Sequence, residues 1–341
     1  MRRSLLVVNY RSAELARDAI RTARAASSEP LQVVVVDNSV DASEADALRD
    51  VADVLIVSDA NVGYAAAINR GRRACDGDLL IVTNPDVRFG ESSIDELAQS
   101  GADVAGPALF WDDAHEWLLP PADVHDTADL LDHAFATRSR ARQRRRDLRR
   151  TRERIAFHSL TKPTAVRSIS GAVMAIRATA FDRAGGFDER FRLYFEETDF
   201  LRRVNGGIVY VPTAKCRHLY NQSAGRSPEA ASLYAESELL FLRKWSGAFM
   251  ARVIKAIERA PRVDELPFID GAIEVNVDDG IVEASPHPQF ETAATRSAHR
   301  GLADLPDDVL AAWRGGPLYL RIVDRTSGAV LAAYQRIRMT S

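Results

Sequence analysis

A chain of 341 residues, 46% hydrophobic, can bury one large core or one large and one small. Its formal net charge of −3 gives no global attraction to nucleic acid or membrane. Cys75 and Cys216 are its two cysteines, which excludes a disulfide framework or a cysteine zinc site and suits a reducing compartment.

Residues 5–8 read as a buried strand and 13–26 as a helix capped by Ser12. Met1-Arg2-Arg3 leads straight into that strand without a signal-peptide core. No apolar stretch approaches the roughly twenty residues of a membrane span, so the expected location is cytoplasmic. Further buried strands are predicted at 31–36, 53–57 and 79–82, with helical patterns at 43–49 and 63–75 between them. Strands apolar throughout, alternating with helices, predict a doubly wound sheet with parallel strands. The stretch 138–154 then holds ten arginines against Asp147 and Glu153, without a convincing apolar face. It predicts a solvated helical insertion, or a contact for an anionic surface such as a phosphorylated lipid acceptor at the inner leaflet. Aromatic residues do not interleave with these arginines, which argues against nucleic acid.

Order resumes with strands at 166–169 and 172–176, a helix from 178, a break at Gly185-Gly186 and a helix at 197–204. Strands at 208–211 and 215–218 and helices at 229–245 and 248–259 close this domain. Pro261 and Pro267 flank a linker. Period-two alternation at 272–277 and 318–323, with a hairpin signature at 325–328, predicts a small antiparallel β module.

Asn84-Pro85-Asp86 follows the apolar run 79–82, and Asp37 ends the run 32–36. Open α/β sheets bind ligands beyond the carboxyl ends of their strands, so two acids at two such ends suggest a nucleotide site with a divalent metal. Either acid alone is equally an Asx turn. Asn61-Val62-Gly63 opens a helix of small residues, which admits a close ligand or a close backbone, and Asn69 is the polar residue on its small-apolar face. On the helix after 195, Glu196, Asp199 and Arg203 share one face by spacing, which reads as a salt-bridge row. Glu197 aligns instead with Phe200, Leu201 and Val204. A carboxylate heading a buried stripe would have its pKa lifted toward the range of a general base. His218 ends another strand, ahead of a polar segment containing Arg226. Asp86 and His218 together could hold Mg2+ or Mn2+ against a diphosphate, with Arg226 adding positive charge.

These residues together resemble glycosyltransferase family 2, the inverting GT-A type, and especially its bacterial rhamnosyltransferase-like members. The carriers are Val7-Val8-Asn9-Tyr10, Val36-Asp37-Asn38, Asn61-Val62-Gly63 with Asn69-Arg70-Gly71, Asn84-Pro85-Asp86, Ser170-Gly171-Ala172, 185–191, 194–199 and His218. The implied fold is α/β: a GT-A type doubly wound, Rossmann-like mixed sheet in a domain over 1–260, with an Arg-rich helical insertion at about 127–160. A small C-terminal antiparallel β module over 261–341 follows. The resemblance implies a nucleotide-sugar site formed by Asn9, Tyr10, Asp37, Asn61, Gly63, Asn69, Asn84, Asp86 and Arg226, with Asp37 on the nucleobase. Asp86 would be the metal-binding acid of an Asp-x-Asp type motif whose first position here is Asn84. Glu197, or its neighbour Glu196, would be the base, and Gly171, Asp188 and Asp199 would border the acceptor and donor sugar. The implied partners are a nucleotide-sugar donor, dTDP-rhamnose or a UDP-sugar, and a glycan or lipid-linked acceptor in cell-surface polysaccharide synthesis. Peripheral contact with an anionic membrane and a homodimer are compatible with it.

Three rivals are weighed. A sugar-nucleotide pyrophosphorylase needs a Gly-rich, Lys-bearing loop where this chain has Asn9-Tyr10-Arg11-Ser12. A nicotinamide oxidoreductase needs Gly-x-Gly-x-x-Gly after the first strand, and none is present. A non-catalytic carbohydrate- or lipid-phosphate-binding module would use the arginine segment and the β module.

Overall fold

The structure, a computed structural model, describes residues 1–219, 228–260, 265–313 and 316–336. Arg226 lies outside the described residues. The chain divides into two compact units: 1–109 with 122–124 and 161–244, and 110–121 with 125–160 and 245–341. The arginine segment therefore groups with the C-terminal β module, where the sequence placed it as an insertion in the first domain.

The first elements are β1 (Arg3–Asn9), α1 (Ala13–Ala25), β2 (Leu31–Asp37), α2 (Ala42–Leu48), β3 (Val54–Val57) and α3 (Tyr64–Arg72). Next come β4 (Leu79–Thr83), β5 (Val87–Phe89), α4 (Ser93–Gln99), β6 (Val104–Phe110), α5 (Thr127–Ala136) and α6 (Arg140–His158). Then follow β7 (Thr164–Ala165), β8 (Val173–Arg177), α7 (Ala178–Arg183), α8 (Glu196–Arg203), β9 (Ile208–His218) and α9 (Pro228–Ile257). The last are β10 (Phe268–Ile269), β11 (Ile273–Val275), β12 (Gly280–Ser285), β13 (Ala294–Ala298), β14 (Gly301–Ala303), α10 (Asp307–Ala312), β15 (Leu318–Asp324) and β16 (Val330–Arg336).

In the first unit the sheet runs β3-β2-β1-β4-β8-β6-β9-β5, with β7 on β9. Strands β1 to β4 are mutually parallel, and β8 turns antiparallel against both β4 and β6. The sheet is thus the mixed type that the resemblance implied. Strands β1 and β4 are buried throughout because helices cover both faces. Helix α1 lays Ala16, Ala19, Ile20 and Ala23 on the core at helical spacing. Ser12 precedes it without capping it: its hydroxyl donates to Asn9 Oδ1, and the Ala13 N–H goes to Glu44 Oε2 instead. The strand expected at 166–169 is absent, because pairing with β9 ends after the Val166 N–H meets Ile208 O. The two strands expected at 208–218 are one, with Pro212 between the stretch paired to β7 and the stretch paired to β5.

The second unit carries the β module, a five-stranded sheet β10-β16-β15-β12-β13 and the pair β11-β14. Leu118 exchanges both backbone hydrogen bonds with Thr295 of β13. Helix α6 contradicts the expected solvated insertion. Its buried residues are Arg146, Thr151 and Arg154, so the inward face is made of cations rather than hydrocarbon. Glu283 of β12 accepts from Arg154 Nε at 2.6 Å and from Arg321 Nε at 2.5 Å. Arg321 also donates to both Asp147 oxygens at 3.0 Å and to Thr151 Oγ1. Arg146 is held by Asp129 and Asp132 of α5. Each buried guanidinium thus has a carboxylate, as buried charge requires.

Candidate functional site

The parallel registers Asn9↔Asp37 and Val7↔Thr83 bring the carboxyl ends of β1, β2 and β4 to one edge. Because β8 runs the other way, with Thr83 opposite Val173, its leading residues Gly171 and Ala172 reach the same edge. There the Asn84 N–H donates to Ala172 O at 2.9 Å. The rung Val87↔His218 sets Asp86 beside His218, with Asp86 Oδ1 and His218 Nε2 3.4 Å apart.

Asp37 is fully buried at the end of β2. Its Oδ1 accepts from Asn9 Nδ2 at 2.9 Å and from the Ser39 N–H and hydroxyl. Its Oδ2 has no partner among the described residues, and neither have Asn38 Oδ1 or Ser58 Oγ. Ser58 is tied to the same place by its N–H to Asp37 O. Buried polar atoms are normally bonded to protein or water, so three such atoms around one strand end make it a candidate place for a ligand. Asn9 sits beneath it as a support, its amide taken up by Asp37, Ser39 and Glu44. Tyr10, 42% exposed, stands at the rim.

Asn61 Oδ1 accepts from the Gly63 N–H at 3.0 Å, turning the chain into α3. Gly63 has φ +86°, and a Cβ there would lie 2.9 Å from Arg192 O, so both backbone shape and space require glycine. The turn delivers Tyr64, whose hydroxyl donates to Asn84 Oδ1 at 3.1 Å. Burial, then the charges of Glu196, Glu197 and Asp86, push the Tyr64 phenol far above its ordinary range. One phenol thus senses all three carboxylates. Tyr64 was not singled out from the sequence; its place directly after the Asn61-Val62-Gly63 turn was the available signal.

Burial of the two glutamates is the reverse of the expectation. Glu196 is 6% exposed with Oε2 unpartnered, while Glu197 is half-buried. Burial first, and the Glu197 charge second, raise the Glu196 pKa well above 4.5. Tyr194 and Phe195 both have positive φ, which sets the entry of α8 and turns Glu196 inward. Glu197 packs against Gly171, where a Cβ would stand 2.9 Å from Glu197 Cγ.

Three other expected site residues are occupied elsewhere. Asn69 donates to Phe187 O at 2.8 Å and to Glu189 Oε1, and accepts from the Phe187 N–H at 2.9 Å. It clamps the turn after Gly186 rather than offering an amide to a donor. Asp199 is fully buried between Arg203 at 2.8 Å and Lys244 at 2.5 Å, so the expected solvated row is a covered ion cluster. Asp188 accepts from Arg190 and Lys244, and the Arg190 hydrogen bond leads in holding it below the usual carboxylate range. Lys244, which joins both acids, was missed because nothing local to α9 points to them.

Asp86 and His218 supply one oxygen and one nitrogen ligand. Among the described residues no group of three or more His, Cys, Asp or Glu converges on a metal position. The pair fits Mg2+ or Mn2+, ions that take one or two protein ligands and complete their shell with substrate phosphate and water. It does not fit a closed, all-protein cage.

The family model for glycosyl transferase family 2 matches residues 4–167. The chain is similar to N-acetylglucosaminyl-diphospho-decaprenol L-rhamnosyltransferase of Mycobacterium tuberculosis strains CDC 1551 / Oshkosh and ATCC 25618 / H37Rv. Each is 28% identical over 259 residues, 64% of this chain and 76% of that protein. Among solved structures it is similar to the mannosyltransferase PcManGT from Pyrobaculum calidifontis in complex with GDP-Man and Mn2+. That match has 16% identity over 75% of this chain and 74% of that one, with a TM-score of 0.43. A second, S. aureus TarS 1–349 in complex with UDP, has 13% identity over 75% and 70%, also with a TM-score of 0.43.

Proposed function

We propose that this chain is a member of glycosyltransferase family 2 and an inverting rhamnosyltransferase acting on a lipid-linked, N-acetylglucosamine-bearing acceptor. The family match and the named activity of the Mycobacterium tuberculosis relatives support the class and the acceptor. The observation that carries the reading is the meeting of Asn84, Asp86, His218 and the Gly171-packed Glu197 at the strand edge where Asp37 Oδ2 has no partner among the described residues.

In this reading the donor is a pyrimidine nucleoside diphosphate sugar, dTDP-rhamnose or a UDP-sugar. Asp37 Oδ2 accepts from the ring imide N–H, and Asn38 and Ser58 complete the base pocket. Asp86 and His218 would hold Mg2+ or Mn2+, which when bound neutralises charge on the departing diphosphate. Tyr64 fixes Asn84 beside them. Burial and the neighbouring Glu197 charge favour the protonated form of Glu196, so the base is assigned to Glu197. Two neighbouring carboxylates with protonation states driven apart can divide acid and base roles. Glu197 accepts the proton of the acceptor hydroxyl as its oxygen attacks the anomeric carbon from the face opposite the diphosphate. Work on a lipid-linked acceptor places the enzyme at the inner membrane face. Among the described residues no helix is long and apolar enough to cross a membrane.

Replacing Glu197 with Gln keeps the shape and removes the base. Transfer of rhamnose to a prenyl-diphospho-N-acetylglucosamine acceptor should fall by about 10² or more, while dTDP affinity holds within about threefold. Glu196→Gln should keep most of the activity. Loss in Glu196→Gln with normal turnover in Glu197→Gln would reverse the assignment, and no transfer by the unaltered chain from dTDP-rhamnose would sink the donor reading.

A further inference from the structure

Helix α6 has two unlike faces. Arg146 and Arg154 point inward and are matched by Asp129, Asp132 and Glu283. Arg142, Arg145, Arg149 and Arg152 are exposed and recur at i, i+3, i+7 and i+10. That spacing gathers them within about 80° of the helix circumference, and at 1.5 Å of rise per residue the ridge is about 15 Å long. A shallow groove follows it, and the acids that line this groove are Asp132 and Glu153.

Both acids are taken up by one member of the ridge. Arg149 faces Asp132 at 2.9 Å and Glu153 at 3.7 Å. The other three have neutral partners among the described residues. Arg142 lies over the Phe135 ring, 4.9 Å from its centroid. Arg145 donates to the Ala141 carbonyl of its own helix, and Arg152 to the Ser327 carbonyl at 3.0 Å. A carbonyl or a ring orients a guanidinium without cancelling its charge. The outer face of α6 therefore presents three uncancelled cations in line, beside a Phe135 ring that is 39% exposed. One small anion could meet only part of such a line, so its length suits an extended anionic surface. Headgroup phosphates supply one, and exposed arginines beside an apolar ring are the side chains that settle there. Nucleic acid is the other extended polyanion, but aromatic residues do not interleave with these arginines.

We infer that the outer face of α6 docks on a bilayer of anionic phospholipid, with Arg142, Arg145 and Arg152 on the headgroup phosphates and Phe135 beside them. The choice of a bilayer rests on the lipid-linked acceptor of the proposed function. The surface itself uses none of the residues assigned to transfer.

Cosedimentation of the full chain with vesicles of phosphatidylglycerol and phosphatidylcholine, without donor or acceptor, tests it. Binding is expected to these vesicles and not to pure phosphatidylcholine. It should fade as salt shortens the Debye length from about 10 Å at 0.1 M to 3 Å at 1 M. Arg142→Gln and Arg145→Gln should each weaken it about fivefold, the share of one arginine near an anionic surface. Arg144→Gln removes the same charge from an exposed position about 120° around the helix from the middle of the ridge, and should weaken it less than about twofold. All three side chains are exposed, so the variants should melt like the parent. No binding to the mixed vesicles, an equal loss in Arg144→Gln, or tighter binding to duplex DNA at the same salt would overturn the surface. Transfer to a short-chain, water-soluble prenyl acceptor keeps this inference apart from the proposed function. It should be unchanged in Arg142→Gln and Arg145→Gln. Transfer without vesicle binding sinks the ridge and keeps the enzyme; arginine-dependent vesicle binding without transfer keeps the ridge and sinks the enzyme.

Discussion

In the first unit Glu196 is buried with an oxygen that has no hydrogen-bond partner among the described residues, whereas in the second unit the buried Glu283 gives both oxygens to arginines. The two carboxylates respond in opposite directions. Burial lifts Glu196 well above 4.5. Burial also acts to raise Glu283, but Arg321 and then Arg154 pull it below 4.5. A carboxylate matched by fixed guanidiniums is architecture, and its charge is permanent. One left unmatched beside a strand edge keeps an acceptor that the described residues do not use. Burial alone does not separate these cases; the partner atoms do.

The widest expected effect comes from breaking the matched cluster. Glu283→Ala strands Arg154 and Arg321 without their shared anion and should cost about 3–5 kcal/mol in denaturant unfolding of the full chain. A loss under about 1 kcal/mol would show that the guanidiniums find other partners. Next comes the metal pair of the first unit. EDTA, or Asp86→Ala, should lower transfer about a hundredfold, worth ~2.7 kcal/mol of barrier, with no change in melting. Full activity in EDTA would shift the leaving-group charge to other groups.

The smallest effect concerns Glu196 and pH. Its folded pKa is raised, so its contribution to stability is present below 4.5 and is lost as pH rises through the folded value. Glu283, with a depressed folded pKa, behaves oppositely: its contribution is present above 4.5 and is lost as pH falls through the folded value. Glu196→Gln should therefore flatten the fall in stability that sets in as pH rises above 4.5. An unchanged dependence on pH above 4.5 would mean that the fold does not hold the Glu196 carboxyl in its protonated form.

The strand and helix alternation of the first unit was legible because each buried strand is apolar along its whole length, and turn residues punctuate it. Asp37, Asp86 and His218 could be placed at strand ends for the same reason. The face of α8 could not be read. Its spacing made Asp199 solvated, but Lys244 and Phe241 of α9 contribute an ion pair to Asp199 and a ring against Phe195. The arginine helix was misread by the same mechanism at longer range. A buried cation looks like a solvated one until its carboxylate is known, and Glu283 lies 129 residues from Arg154. Asn69 shows the limit of motif reasoning: a polar residue on a small-apolar face was correctly seen as unusual, but its partner is the backbone of Phe187.

The second unit is assembled from three separated stretches of chain, and this orders its synthesis. Helix α6 leaves the ribosome well before β12 exists. At about 5–20 residues per second, Arg154 waits on the order of ten seconds for Glu283. During that interval Arg146 and Arg149 can already meet Asp129 and Asp132 of α5, but Arg154 lacks its carboxylate, and a nascent chain in that state should adhere to polyanions such as ribosomal RNA. A stop codon between residues 245 and 283 would make that interval permanent, so truncated products should be lost to aggregation or proteolysis even though the first unit's own strands are complete.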